Sequence, residues 1–186
     1  MAQIKAAQKI QTIDMAYIAM FAALIAVCSW FSIPAPVPFT LQTFGIFLAV
    51  AVLGGKRGSL AVLVYLLLGA MGAPVFAGFA GGLGVLMGAT GGYIIGFLAS
   101  ALLMWLMEQL LGSQSRVLAL SALLGLMACY AFGTAWFMVV YARTSGPIGL
   151  MAALGKCVIP FLVPDLSKIA LAIAMHKRLA KAIRLA

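Results

Sequence analysis

The sequence predicts an all-α integral membrane protein of six transmembrane helices with both termini cytoplasmic. Three observations carry that expectation. Hydrophobic residues make up 66% of the chain and charged residues 8%, far from the balance of a soluble domain. The apolar residues fall into runs that approach the ~20 residues needed to cross a bilayer. The basic residues cluster between those runs rather than along one face, and such clusters set topology. The chain of 186 residues is read as one compact membrane domain over 1–186, with a cytoplasmic segment at 1–14 and a basic cytoplasmic tail at 177–186.

The first helix is expected over residues 15–33, where an apolar run meets the proline-rich turn 34–38. The second covers 39–53 and stops at Gly54-Gly55 and Lys56-Arg57, and the third covers 59–71. A glycine-rich, uncharged connection follows at 72–88. The fourth helix runs over 91–111 behind Thr90, a residue type suited to an N-cap. The fifth covers 117–141, a loop with a short helix at 148–156 comes next, and the sixth covers 159–178. Helices two and three are short, as befits helices that tilt little or are partly enclosed by the bundle. With both termini inside, the inner side holds Lys5, Lys9, Lys56, Arg57, Arg116, Lys177, Arg178, Lys181 and Arg184. The outer side holds Arg143 and Lys156. That bias follows the positive-inside rule, whereas a seven-span chain would place one terminal basic cluster outside.

This topology puts the turn 34–38, the connection 72–88 and the segment 144–155 on the outer face. Long loops in compact domains are often functional, so 72–88, with Phe76 and Phe79, is expected to cover a cavity. The alternative is a re-entrant segment packed within the bundle.

The chain has three acidic residues. Asp14 and Glu108 sit where ordinary polar flanks belong, but Asp165 lies inside the apolar run 159–175 with Lys168 three residues later. A charge at the bilayer centre costs roughly 2.5–3.5 kcal/mol on insertion scales, so such groups pair, face a cavity or hold a ligand. The i,i+3 spacing puts both on one helix face. They offer an acceptor and a donor to the same polar molecule, with an ion pair that merely orients helices as the alternative. Pro160 and Pro164 loosen the helix before Asp165. Thr40 and Gln42 open helix two on the same side. They are either ligand groups, Gln42 suiting a urea-like or amide-like partner, or an N-cap and a helix–helix tie. Gly91, Gly92 and Tyr93 open helix four, where glycines permit close approach to backbone and the helix end attracts acceptors. Close helix packing is the competing use of those glycines. Ala19 and Ala23, like Ala22 and Ala26, lie four apart on helix one, a spacing that lets membrane helices approach. On the residues alone, internal packing is the preferred use.

Other classes fit poorly. The net charge of +9 has no accompanying basic face with interleaved aromatics, so nucleic-acid binding is not expected. The helix-six tail reads as an anchor on anionic lipid of the bilayer. Cys28, Cys129 and Cys157 lack metal-ligand spacing, and no metal or cofactor is expected. His176 stands among basic residues away from any nucleophile, and one carboxylate in the core supplies no acid/base pair. No phosphate-binding loop is present, so the chain is not read as an enzyme or an ATPase.

Three motifs carry a family resemblance: Pro36-Val37-Pro38-Phe39-Thr40-Leu41-Gln42, Thr90-Gly91-Gly92-Tyr93, and Pro160-Phe161-Leu162-Val163-Pro164-Asp165-Leu166-Ser167-Lys168. Over nearly its whole length the chain resembles BioY, the biotin-binding S component of energy-coupling factor (ECF) transporters. One departure is Ala89, where that family pattern has proline. The resemblance implies an S-component-like bundle that binds biotin near the outer surface. It also implies association with a membrane coupling subunit and two cytoplasmic ATPase subunits, with Ala19 and Ala23 facing the coupling subunit. Asp165 would accept the urea N–H groups of biotin. Lys168 would donate to the urea oxygen or to the tail carboxylate, and Phe76, Phe79 and Tyr93 would cover the rings. A self-sufficient secondary transporter with Asp165 as a protonation site is the alternative, although such carriers often show two related halves and no repeat is evident.

Overall fold

The computed structural model describes residues 11–35 and 37–179, and Lys5, Lys9, Pro36, Lys181 and Arg184 lie outside them. The chain is helical, and four of its helices are long and apolar enough to cross a membrane by length and composition. These are α1 (Thr12–Trp30), α5 (Gly91–Leu111), α6 (Ser115–Ser145) and α8 (Ile159–Leu179). Between them run the shorter helices α2 (Gln42–Leu53) and α3 (Gly55–Ala70), and the short pieces α4 (Leu83–Met87) and α7 (Leu150–Cys157).

Helix one ends earlier than expected. Ile33 precedes Pro34, which disfavours the helical conformation at that residue. Ser32–Ile33 (β1) instead pairs antiparallel with Phe39–Thr40 (β2), Ser32 opposite Thr40 and Ile33 opposite Phe39. The two strands therefore make a small hairpin, and α2 starts at Gln42 rather than at residue 39. At 12 residues α2 is about 18 Å long at 1.5 Å per residue. It is shorter than the ~30 Å hydrocarbon core of a bilayer, and its contacts are with protein rather than lipid. Every residue of it except Phe44 is buried, because α1, α3, α5 and α8 surround it.

One residue separates α2 from α3. Gly54 takes φ +79°, a conformation open to glycine at little cost, and the chain reverses at once. The predicted stop at Gly55, Lys56 and Arg57 is thus the first turn of α3. Gly58 lets the two helices touch backbone to backbone, since a Cβ there would lie 2.4 Å from the Val50 Cα. Gly58→Ala is expected to destabilise the fold by about 1–3 kcal/mol, the usual range for overpacking. Gly84, whose Cβ would meet nothing within 4 Å, is the control. Equal melting temperatures in detergent for the two alanine variants would refute this account.

Asp14 and Glu108 are not ordinary flanks. Asp14 is buried and takes Arg57 at two points, Nε to Oδ1 at 2.9 Å and Nη2 to Oδ2 at 3.2 Å. Its Oδ2 also accepts the Gln11 N–H at 3.0 Å. Glu108 on α5 accepts the Gly55 N–H, placing a carboxylate at the N-terminus of α3 where the helix dipole favours one. These two contacts tie α1, α3 and α5 together at the end of the bundle away from the hairpin.

The connection 72–88 is not structureless. It holds a 3-10 turn at Ala77–Phe79 and α4. Its ties are specific: Trp30 Nε1 donates to the Pro74 carbonyl at 2.8 Å, Ser29 Oγ to the Val75 carbonyl, the Gly82 N–H to the Gly69 carbonyl at 2.7 Å, and Trp136 Nε1 to the Gly88 carbonyl at 2.9 Å. Three helices, α1, α3 and α6, therefore hold it against the bundle.

Candidate binding site

Asp165 and Lys168 point inward from one face of α8 and are 2% and 6% exposed. Their burial makes partners obligatory. Lys168 Nζ lies 2.7 Å from Asp165 Oδ1, donates to the Thr40 carbonyl at 2.6 Å, and stands 4.3 Å from the centre of the Phe39 ring. Asp165 collects two further donors, Thr43 Oγ1 to Oδ1 at 2.9 Å and Tyr130 OH to Oδ2 at 2.6 Å. An ionised carboxylate accepts about four hydrogen bonds, so three of its positions are filled and one remains, on Oδ2. Pro164 has no N–H to offer the Pro160 carbonyl. Pro160 itself stands in the first turn of α8, where a missing N–H costs nothing.

A cavity of about 750 Å³, its open mouth included, lies beside this pair. Its walls are mostly apolar with a few placed polar groups, the usual design of a small-molecule site. The hairpin and the start of α2 supply Thr40, Gln42 and Thr43; α5 supplies Tyr93 behind Thr90; α6 supplies Tyr130; α8 supplies Phe161, Asp165 and Lys168; and the connection 72–88 supplies Phe76, Ala77 and Val85.

Thr40 and Gln42 hold both uses open to them. They line the cavity, yet the Thr40 hydroxyl accepts the Gln42 N–H at 3.2 Å, and Gln42 Nε2 donates to Tyr65 OH on α3 at 2.7 Å. Tyr93 also lines it, its hydroxyl 2.9 Å from Thr134 Oγ1. Thr90 precedes α5 but makes no side-chain cap. Phe76 is 1% exposed and meets Tyr65 edge-on with ring centres 5.6 Å apart.

Three expected site residues stand outside the cavity lining. Phe79 is 62% exposed and stacks on Trp30 at 5.0 Å. Gly91 and Gly92 serve packing: a Cβ on the first would fall 1.7 Å from the Leu86 carbonyl oxygen, and on the second 2.2 Å from the Trp136 Cβ. The alanine pairs of α1 divide, with Ala22 and Ala26 buried and Ala19 and Ala23 exposed.

Thr43, Tyr65 and Tyr130 were not anticipated. A signal existed for each. Thr43 follows Gln42 directly, and Tyr65 and Tyr130 are lone phenols within apolar runs, where a buried hydroxyl needs a partner.

The model of the BioY family matches residues 3–185. The chain is similar to the biotin transporter BioY of Thermotoga maritima, at 44% identity over 163 residues, 87% of this chain and 92% of that protein. It is 40% identical over 167 residues to the probable biotin transporter BioY of Pyrococcus horikoshii, covering 89% and 95% of the two chains. A crystal structure described as the S-component for biotin from an ECF-type ABC transporter superposes with a TM-score of 0.81, at 28% identity and 95% coverage of both chains.

Proposed function

Because the chain belongs to the BioY family, we propose that it is the biotin-binding S component of an ECF transporter, the membrane subunit that captures biotin for uptake powered by partner ATPases. The observation that carries this reading is the Asp165 carboxylate, held by Lys168, Thr43 and Tyr130 with one acceptor position left beside the cavity. A urea N–H fits that position. Thr40, Gln42, Tyr93 and Phe76 complete the site in this reading, with the two rings against the fused bicycle. Gly91, Gly92 and Phe79 support its walls from outside.

Six spans, α1, α2, α3, α5, α6 and α8, with both termini cytoplasmic, agree with the charges. Lys56, Arg57, Arg116, Lys177 and Arg178 lie toward the end away from the hairpin, whereas Arg143 and Lys156 close α6 and α7 near the cavity. The site then opens outward in the cell membrane. Exposed Ala19 and Ala23 give α1 a shallow face on which a coupling-subunit helix can pack closely. Two cytoplasmic ATPase subunits complete the assembly.

Calorimetry on the purified chain in detergent tests the reading, and one-to-one binding of biotin is the expected result. A folded chain that fails to bind biotin would sink it. Biotin uptake by vesicles containing this chain alone, without any ATPase, would favour a self-sufficient carrier.

A further inference from the structure

We infer that this chain recognises the neutral ring system of biotin and leaves the tail carboxylate without a counter-charge, so that a biotin amide binds about as well as the free acid. The inference rests on the biotin reading above and concerns the half of the ligand that this reading leaves open.

Lys168 is the one cation among the described residues that line the cavity. An ammonium has three hydrogens to give. Here the Asp165 carboxylate, the Thr40 carbonyl and the face of the Phe39 ring surround it. Turning it toward a ligand carboxylate would strip Asp165 of its counter-charge and release the hairpin strand. Losing the partner of a buried charge is strongly unfavourable. The alternative, a ligand carboxylate seated beside an Asp165–Lys168 pair that is already neutral, adds a second anion to one site, which like-charge repulsion opposes.

The other anion acceptors at this end are spent or turned away. The Gly91 N–H bonds the Gly88 carbonyl, and the Tyr93 and Ile94 N–H groups both bond the Thr90 carbonyl, so the start of α5 has few amides to offer. Lys156 is exposed and stands 5.4 Å over the Tyr141 ring, and neither it nor Arg143 lines the cavity. A carboxylate that finds no cation stays hydrated at the mouth. Replacing it there with an uncharged amide removes no contact. The substrate class therefore widens to biotin joined through its tail by an amide bond, as in a biotinylated lysine.

The test is calorimetry with biotin and with biotinamide, on the wild-type chain and on Lys168→Met. Biotinamide is expected within tenfold of biotin on the wild type. The substitution is expected to weaken both ligands by factors that agree within tenfold, because Lys168 acts on Asp165 and the hairpin rather than on the tail. A biotinamide affinity lower by tenfold or more overturns the inference while leaving the biotin reading intact. So does a Lys168→Met loss that is tenfold or more greater for biotin than for its amide. Absence of binding by either ligand removes the biotin reading, and this inference with it. The wild-type comparison decides even where the variant does not fold.

Discussion

Asp165→Asn is expected to weaken biotin binding at least a hundredfold, about 2.8 kcal/mol at 1.4 kcal/mol per decade. The substitution keeps the size of the side chain and changes what its atoms can do. Both carboxylate oxygens are acceptors in use: Oδ1 takes Thr43 and Lys168, and Oδ2 takes Tyr130. An asparagine replaces one of them with an NH2 that can accept nothing. With the NH2 at the Oδ1 position it faces the Lys168 ammonium, donor against donor. With the NH2 at the Oδ2 position the Tyr130 hydroxyl can turn to accept, but the acceptor left for the urea is gone. Lys168, 6% exposed, also loses its counter-charge. Breaking a buried pair on one side costs roughly 3–5 kcal/mol, so part of the damage falls on the fold. Melting in detergent separates the two effects. Near-native affinity in the variant would remove Asp165 from the site.

Asp165 and Lys168 were readable from sequence because two strong constraints coincide there, the cost of charge in an apolar span and the helical period. Thr43 and Tyr130, which hold the same carboxylate, carry no such cost. Threonine and tyrosine occur inside membrane helices for many reasons, and only the packing of α2 and α6 against α8 turns these two on Asp165. Asp14 and Glu108 failed in the opposite direction. Each lies near a helix end, where a solvated flank and a tie between helices look alike until the position of α3 is known. Gly91 and Gly92 were rightly seen as points of close approach, but sequence does not say what approaches. Leu86 and Trp136 do, from within the chain. The hairpin was missed because strands of two residues have no period to detect. Helix boundaries fared better where glycine or proline marks an end, as α5 over Gly91–Leu111 illustrates.

The two phenylalanines of the connection 72–88 had equal standing in the sequence, and the structure gives them opposite fates. Phe76 projects into a socket that exists because residue 69 is glycine: a Cβ there would lie 2.1 Å from the Phe76 ring. Tyr65 closes the socket edge-on, and its hydroxyl holds Gln42, so Phe76 connects to the polar wall of the cavity through two contacts. Phe76→Ala is therefore expected to cost about 3–5 kcal/mol of stability, the range for truncating a buried phenylalanine, and at least tenfold in biotin affinity. Phe79 lies three residues on, 62% exposed against Trp30. Its stack is worth about 0.5–1.5 kcal/mol, and Phe79→Ala is expected to change biotin affinity less than threefold. Thermal melting and calorimetry on both variants decide the matter. Were Phe79→Ala the more damaging to binding, the segment would have to close over ligand on its other side, with Phe79 rather than Phe76 against the rings. The contrast is sharp because the bonds to Pro74 and Val75 before the two rings and the Gly82 N–H bond to the Gly69 carbonyl after them hold the backbone on either side, so that each truncation reports on its own ring.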